Sequence, residues 1–183
     1  EIGCAMGPAK VVTAILCVAG IGIACYALMV EIKMEQAKAL GEDYDALCDI
    51  NSASSDGLFA RLTSSIVGEF SISCTAVFSS YYGKGFGLIQ RVVGDDSVLV
   101  QANPLYGLLF YPVALATSWT DAVRLFRFGA ALSFLGSIWL AYILYFILQD
   151  ACIVCMSSYA VNTLLFITSL LQQPAVSGKE HRE

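Results

Sequence analysis

Two cysteines three positions apart, Cys152 and Cys155 in the stretch ACIVCMSSYAV (residues 151–161), stand at the head of a long apolar run. On a helix that spacing puts both side chains on one turn, where the sulfurs can reach each other. The thiolate is the attacking species in disulfide exchange, and the unpaired N–H groups of a helix start favour it, which lowers the thiol pKa of Cys152. Such a pair can be a redox couple, half a metal site or two inert core thiols. Five further cysteines stand at positions 4, 17, 25, 48 and 74. Cys17 and Cys25 lie within an apolar stretch and read as small buried hydrophobes. Cys48 and Cys74 are left as partners for the CxxC pair. Zinc is poorly served: Cys48 and Cys74 are 26 positions apart, no second CxxC exists, and the sole histidine, His181, lies in the C-terminal tail. No resident metal is expected.

A dithiol in an apolar setting needs an electron donor and an acceptor. Water-borne partners reach Cys48 or Cys74, and a lipid-soluble quinone reaches Cys155, since two electrons and two protons balance one disulfide. Tyr159 follows Cys155 by four residues, on the same helix face and about 6 Å along the axis. Its hydroxyl can donate to a quinone oxygen, or anchor the helix at a membrane interface. Asn103 stands just before a second apolar stretch, as a helix cap or as a second donor to an oxygen gaining charge. Phe78 and Phe110 are candidates for lining a ring pocket.

The elements that must position these residues are membrane helices. The chain of 183 residues is 57 % hydrophobic and only 14 % charged, with mean hydropathy +0.70, a composition suited to an oily solvent. A net charge of -5 without a basic cluster argues against nucleic acid as a partner. Four spans are expected: Val11 to Val30, Pro104 to Trp119 with a kink at Pro112, Phe128 to Leu148, and Cys152 to Leu171. The last two are joined so closely that they must form an antiparallel hairpin. Lys10, Arg124, Arg127, Lys179 and Arg182 then share one face, which the positive-inside tendency makes cytoplasmic together with both termini. Residues 31–103 form a large loop on the other face, where disulfides persist. Within it the piece around Leu58 to Val67 reads as a surface helix or a loosely ordered insertion, and Gly83, Gly85 and Gly87 mark a tight turn rather than a phosphate loop.

The stretches CDI (48–50), SCTAVFSSYYGKGFGL (73–88), NPLYG (103–107) and SIWLAYILYFILQDACIVC (137–155) together resemble the vitamin K epoxide reductase family, including its reductase-like branch, from about Val11 to Leu171. The resemblance implies an all-α integral membrane protein of the endoplasmic reticulum. Its domain would span 11–171 as a four-helix bundle, with a luminal loop and cap at 31–103 containing short helical segments and a cytoplasmic tail at 172–183. It further implies an enzyme that reduces vitamin K epoxide to the quinone and the quinone to the hydroquinone, without a tightly bound cofactor. Cys155 looks like the residue that attacks substrate, Cys152 its resolving partner, Cys74 the loop cysteine that exchanges with Cys152, and Cys48 the partner of Cys74 facing an external dithiol reductant. Asn103 and Tyr159 match the residues that hydrogen-bond to the naphthoquinone oxygens, and Phe78 and Phe110 match pocket aromatics. Luminal thioredoxin-like oxidoreductases are the implied electron source.

Two departures from the family stand out. Its members carry a much shorter segment between the loop cysteines, and they often have a basic residue followed by Trp where this chain has Tyr81-Tyr82. Residue chemistry alone leaves two other functions open: a quinone-coupled protein disulfide oxidase and a noncatalytic tetraspan scaffold stapled by a Cys48–Cys74 bond.

Overall fold

The structure, a computed structural model, describes residues 7–42, 44, 46–49, 71–120 and 122–172. Cys4, the expected Leu58 to Val67 helix and the tail from 173 onward, with Lys179, His181 and Arg182, lie outside the described residues.

Four long helices run alternately up and down. The first, α1 (Pro8–Leu40), starts with Pro8 in the first turn, where its missing N–H costs nothing. It continues ten residues past the expected end of the first span. Hydropathy falls after Val30, but EIKMEQAKAL consists largely of strong helix formers, so the helix persists into polar sequence. Gly41, at φ 71°, stops it: its N–H donates to the Lys38 carbonyl at 3.3 Å, and the Glu42 N–H donates to Ala37 at 2.9 Å. The expected 31–103 loop therefore opens with helix.

A short β1 (Ser71–Ile72) precedes α2 (Cys74–Ser79), two 3₁₀ turns (Tyr81–Gly83 and Gly85–Gly87) and α3 (Ile89–Val93). These form a cap, bridged to the chain before the next helix through Lys84 and Ala102. Then come α4 (Asn103–Trp119), with Pro112 inside it, and α5 (Val123–Tyr142), which runs on as a π-helical stretch, Ile143–Leu148. Gln149, at φ 55°, turns the chain into β2 (Asp150–Ala151), and α6 (Ile153–Leu171) completes the fold. The one sheet among the described residues is the parallel pair β1–β2.

The protein is an all-α membrane protein. Three helices, α1, α5 with its π extension, and α6, are long and apolar enough to cross a bilayer; α4 has 17 residues and is shorter. Leu132, Leu135, Leu164 and Leu170 are exposed on these helices, an outward oiliness suited to lipid rather than water. Cys25 faces outward as well, contrary to its expected burial, while Cys17 is fully enclosed. Eight positions turn a helix by about 80°, and the buried stripe of Thr13, Gly20, Ala24 and Ala27 lies on the other side of Cys17, so Cys25 falls outside it.

Two cores hold the bundle. One gathers Val30, Met34, Phe78 and Leu144 around Cys48, Cys74 and Cys152; the other packs Ala24, Tyr111, Phe126 and Leu165 at mid-bundle. At the end away from the cap, Arg127 donates to the carbonyls of Ser169 (3.3 Å) and Gln172 (2.9 Å), satisfying the exposed carbonyls of α6 with a cation where the helix dipole favours one. Gln172 in turn donates to Thr13 at 2.9 Å, which ties the start of α1 to the end of α6.

The second core depends on a close crossing: Gly20 on α1 lies under the Tyr111 ring, where a Cβ would overlap it. Gly20→Ala is expected to cost about 1–3 kcal/mol through overpacking and to lower the melting temperature in detergent. Gly22→Ala, at a position open to its surroundings, should not lower that temperature, since alanine is the better helix former.

Candidate functional site

The cysteines are brought together by backbone pairing before any sulfur is involved. In the β1–β2 pair Ser71 stands opposite Asp150 and Ile72 opposite Ala151, and the Ser73 N–H extends the ladder to the Ala151 carbonyl at 3.0 Å. The residues that follow are Cys74 on one strand and Cys152 on the other. Their Sγ atoms lie 3.6 Å apart, and both residues are fully buried.

Cys74 is simultaneously bonded to Cys48 as a disulfide, with the Cα atoms 5.9 Å apart. Cys152 and Cys155 are free thiols. Cys152 is the N-cap of α6, and its Sγ accepts the Cys155 N–H at 3.2 Å. The thiol thus stands at the helix start, as the sequence implied, with the Cys155 N–H directed at it.

Asp49 fixes the other end of the loop. Its carboxylate accepts the N–H groups of Ala46 (2.9 Å), Cys74 (2.5 Å) and Thr75 (3.1 Å), together with the Thr75 hydroxyl. A single anion thus binds the turn that carries Cys48 to the helix start that carries Cys74, beside the Ser73 cap of that helix. Burial pushes the Asp49 carboxyl up, but the bonds from Thr75, Ala46 and Cys74 outweigh it and hold the group below the usual range. Cys48, Asp49 and Cys74 bring donor atoms within 4.8 Å of one another, and in this oxidised loop the two sulfurs are engaged with each other.

Beside the deep pair lies a cavity of about 720 Å³ between the cap and α1, α4, α5 and α6. Cys155, Tyr159, Asn103, Phe78 and Phe110 all line it, so the expected substrate residues converge on one space with Cys155. The Tyr159 hydroxyl has no hydrogen-bond partner among the described residues. Asn103 is not the cap of its helix; that position is Ala102, and Asn103 is the first helical residue. Its amide faces the cap segment instead, accepting the Phe86 N–H at 2.9 Å and donating to the Tyr82 carbonyl at 2.7 Å, with one N–H left over. Phe86, at φ 58°, is also held through its carbonyl by the Trp139 indole N–H at 3.1 Å. Gly87, at φ 66°, lies against the Tyr82 ring, where only glycine fits.

Sequence reasoning passed over Asp49, the β1–β2 pair, Trp139 and a polar chain at the cavity wall, in which Tyr111 donates to Asn162 (3.1 Å) and Asn162 to Ser137 (2.9 Å). A Trp indole in an apolar run requires a partner when buried, which was an available signal. The partners of Asp49 lie too far along the chain for a local one.

The family model of the vitamin K epoxide reductase family matches residues 11–170. The chain belongs to the vitamin K epoxide reductase family. It is 38 % identical over 171 residues to vitamin K epoxide reductase complex subunit 1 of Mus musculus, covering 91 % of each chain, and 38 % identical over 164 residues to that subunit of Rattus norvegicus, covering 87 % of each. Membership makes this family member an oxidoreductase, and it carries a Cys48–Cys74 disulfide.

The Asp49 clamp yields a pH test. A carboxyl whose folded pKa is depressed contributes order that is fully present above its unfolded value of about 3.9 and is lost as pH falls through the folded value. Amide exchange at Cys74 and Thr75 should therefore keep constant protection from about pH 8 to 5 and lose it only in stronger acid, after correction for intrinsic exchange. Asp49→Asn should weaken that protection at neutral pH.

Proposed function

We propose that this chain reduces vitamin K epoxide to vitamin K quinone, and the quinone to the hydroquinone, with electrons drawn through its loop cysteines from a thioredoxin-like dithiol protein. The observation that carries the reading is the continuous sulfur path: Cys48 bonded to Cys74, Cys74 in contact with Cys152, and Cys152 one turn from Cys155 at the cavity wall. The names of the mouse and rat relatives supply the substrate.

In this mechanism Cys155 attacks a substrate carbon while Tyr159 and the unengaged N–H of Asn103 stabilise the oxygen that gains charge. Cys152 then displaces the adduct, leaving a Cys152–Cys155 disulfide. Reduction of the epoxide releases the quinone and water; reduction of the quinone gives the hydroquinone; each consumes two thiols. Cys74 attacks Cys152, Cys48 resolves the mixed disulfide, and the deep pair is restored as thiols with Cys48–Cys74 oxidised. That end state has the bonding pattern described above. Phe78 and Phe110 flank the ring, and the remaining apolar wall suits a hydrocarbon tail.

The same reading places the protein in the endoplasmic reticulum membrane with both termini cytoplasmic and the cap luminal. Here α4 is the fourth span: at 1.5 Å per residue its 17 residues reach about 26 Å, near the roughly 30 Å hydrocarbon thickness. The membrane domain is 11–171, with 172–183 as its cytoplasmic tail.

Purified protein in lipid nanodiscs, given dithiothreitol, should consume vitamin K epoxide; turnover of quinone without epoxide would point instead to a quinone-coupled disulfide oxidase. Cys155→Ala should abolish both reductions, and an unaffected Cys155→Ala protein would support the scaffold. Cys48→Ala and Cys74→Ala should retain turnover with small membrane-permeant thiols and lose it with protein dithiols. Tyr159→Phe and Asn103→Ala should lower kcat about 10- to 1000-fold. Mass spectrometry of alkylation-trapped protein should recover a Cys74–Cys152 crosslink.

A further inference from the structure

Cys48 sits in a short turn closed by the Asp49 N–H donating to the Ala46 carbonyl at 2.9 Å. Ala46 and Cys48 point inward, at 4 % and 9 % exposure, while Leu47 between them is 94 % exposed. Large apolar side chains open to the surroundings are ordinary on the spanning helices, where lipid covers them. Leu47 is on no helix, and it is the immediate neighbour of a redox sulfur.

The disulfide it adjoins has two unlike ends. Cys74 is fully buried and contacts Cys152, so its sulfur faces inward. Cys48 is the end closer to the surface. A water-borne reductant must therefore meet Cys48, and when its sulfur does so Leu47 is the protruding side chain beside it. Lipid is a poor alternative cover, because residues 42–49 include Glu42, Asp43, Asp45 and Asp49, and carboxylates are costly to carry out of water into a bilayer.

We propose that Leu47 is the docking anchor for the dithiol protein that reduces Cys48–Cys74, inserting into an apolar patch beside that partner's nucleophilic cysteine. The proposal rests on the reading of the loop disulfide as the point of electron entry. The partner's thiolate attacks Cys48 Sγ, the bond to Cys74 breaks, and Cys74 leaves with the electron pair and takes a proton. The partner's second thiolate then attacks its own first sulfur and releases Cys48 as a thiol. The partner ends as a disulfide and the loop as two thiols. Leu47 contributes to encounter and residence and takes no part in the bond exchange.

The test uses the full chain in nanodiscs and counts loop thiols by mass tagging, a readout independent of any quinone. Leu47→Ala and Leu47→Ser are compared with unsubstituted protein, using reduced thioredoxin in one arm and dithiothreitol in the other; Val98→Ala, at another exposed apolar position, is the control. Leu47→Ala should slow reduction of Cys48–Cys74 by thioredoxin about tenfold at subsaturating concentration, the effect of losing an interface anchor worth about 1.4 kcal/mol. It should leave the dithiothreitol rate and the control within twofold. Equal slowing in both arms would show a structural role and overturn the proposal, as would no slowing in either. Leu47→Trp emission quenched by brominated lipid would place the side chain in the membrane and overturn it too. If Leu47 behaves as expected while no variant or parent consumes vitamin K epoxide, the docking surface stands and the substrate assignment falls.

Discussion

The structure depends on a backbone contact three hydrogen-bonded residues long. Pairing Ser71 and Ile72 with Asp150 and Ala151, and adding the Ser73 N–H, sets the order in which two distant pieces of chain run side by side. The cysteines come next on both strands, so their meeting at 3.6 Å is a consequence of register. A shift of one residue in that register would turn Cys74 to the opposite side of its strand and separate the sulfurs. So short a ladder is marginal by itself. It persists because both strands continue into capped helix starts, α2 through Ser73 and α6 through Cys152.

Thiol exchange has small driving forces at each step, so a relay works through access and geometry more than through acid strength. Cys74 meets both requirements by touching two sulfurs, one bonded and one at contact distance, in a setting closed to water. In the proposed relay Cys155 is the leaving sulfur when Cys74 attacks Cys152, and Cys152 is the leaving sulfur when Cys48 resolves the mixed disulfide. The cavity wall behind Cys155 is mostly apolar, with few polar atoms free. Those of Asn103 are largely engaged with Phe86 and Tyr82, so the same amide that faces the cavity also closes the cap over it. On the proposed reading, loss of Asn103 changes two things, the donor and the cover, whereas loss of the Tyr159 hydroxyl removes a donor and leaves the cap intact.

Much of this was legible in the sequence. Hydropathy located the four long helices, and cysteine type and spacing picked out the four sulfurs that converge. The misjudged boundaries have physical causes. The end of α1 was placed at Val30 because oiliness stops there, but helix propensity and the Gly41 stop decide where a helix ends once it leaves lipid. Of the two roles open to Asn103, cap or donor, the cap falls to Ala102, and the Asn103 side chain bonds to the backbone of Phe86 and Tyr82 instead. Strands of two residues have no period to detect. Asp49 bonds to Thr75 across 26 positions, and only the folded chain brings the two into view.

The long separation between Cys48 and Cys74 is one of two departures from the family pattern noted in the sequence, and the structure nonetheless brings the two sulfurs together. Closing a longer loop costs entropy only logarithmically, about 1 kcal/mol for a threefold extension. Against that stand a disulfide, four hydrogen bonds from the Cys74 side of the loop and its own turn to the Asp49 carboxylate, and the β1–β2 ladder immediately beyond the inserted residues. Asp49 and Cys74 are bonded to each other directly, and Cys74 is positioned from the far side by Ala151. Whatever path the residues between take, both ends of the segment are fixed beside Cys152, so added length changes the loop without separating the three sulfurs.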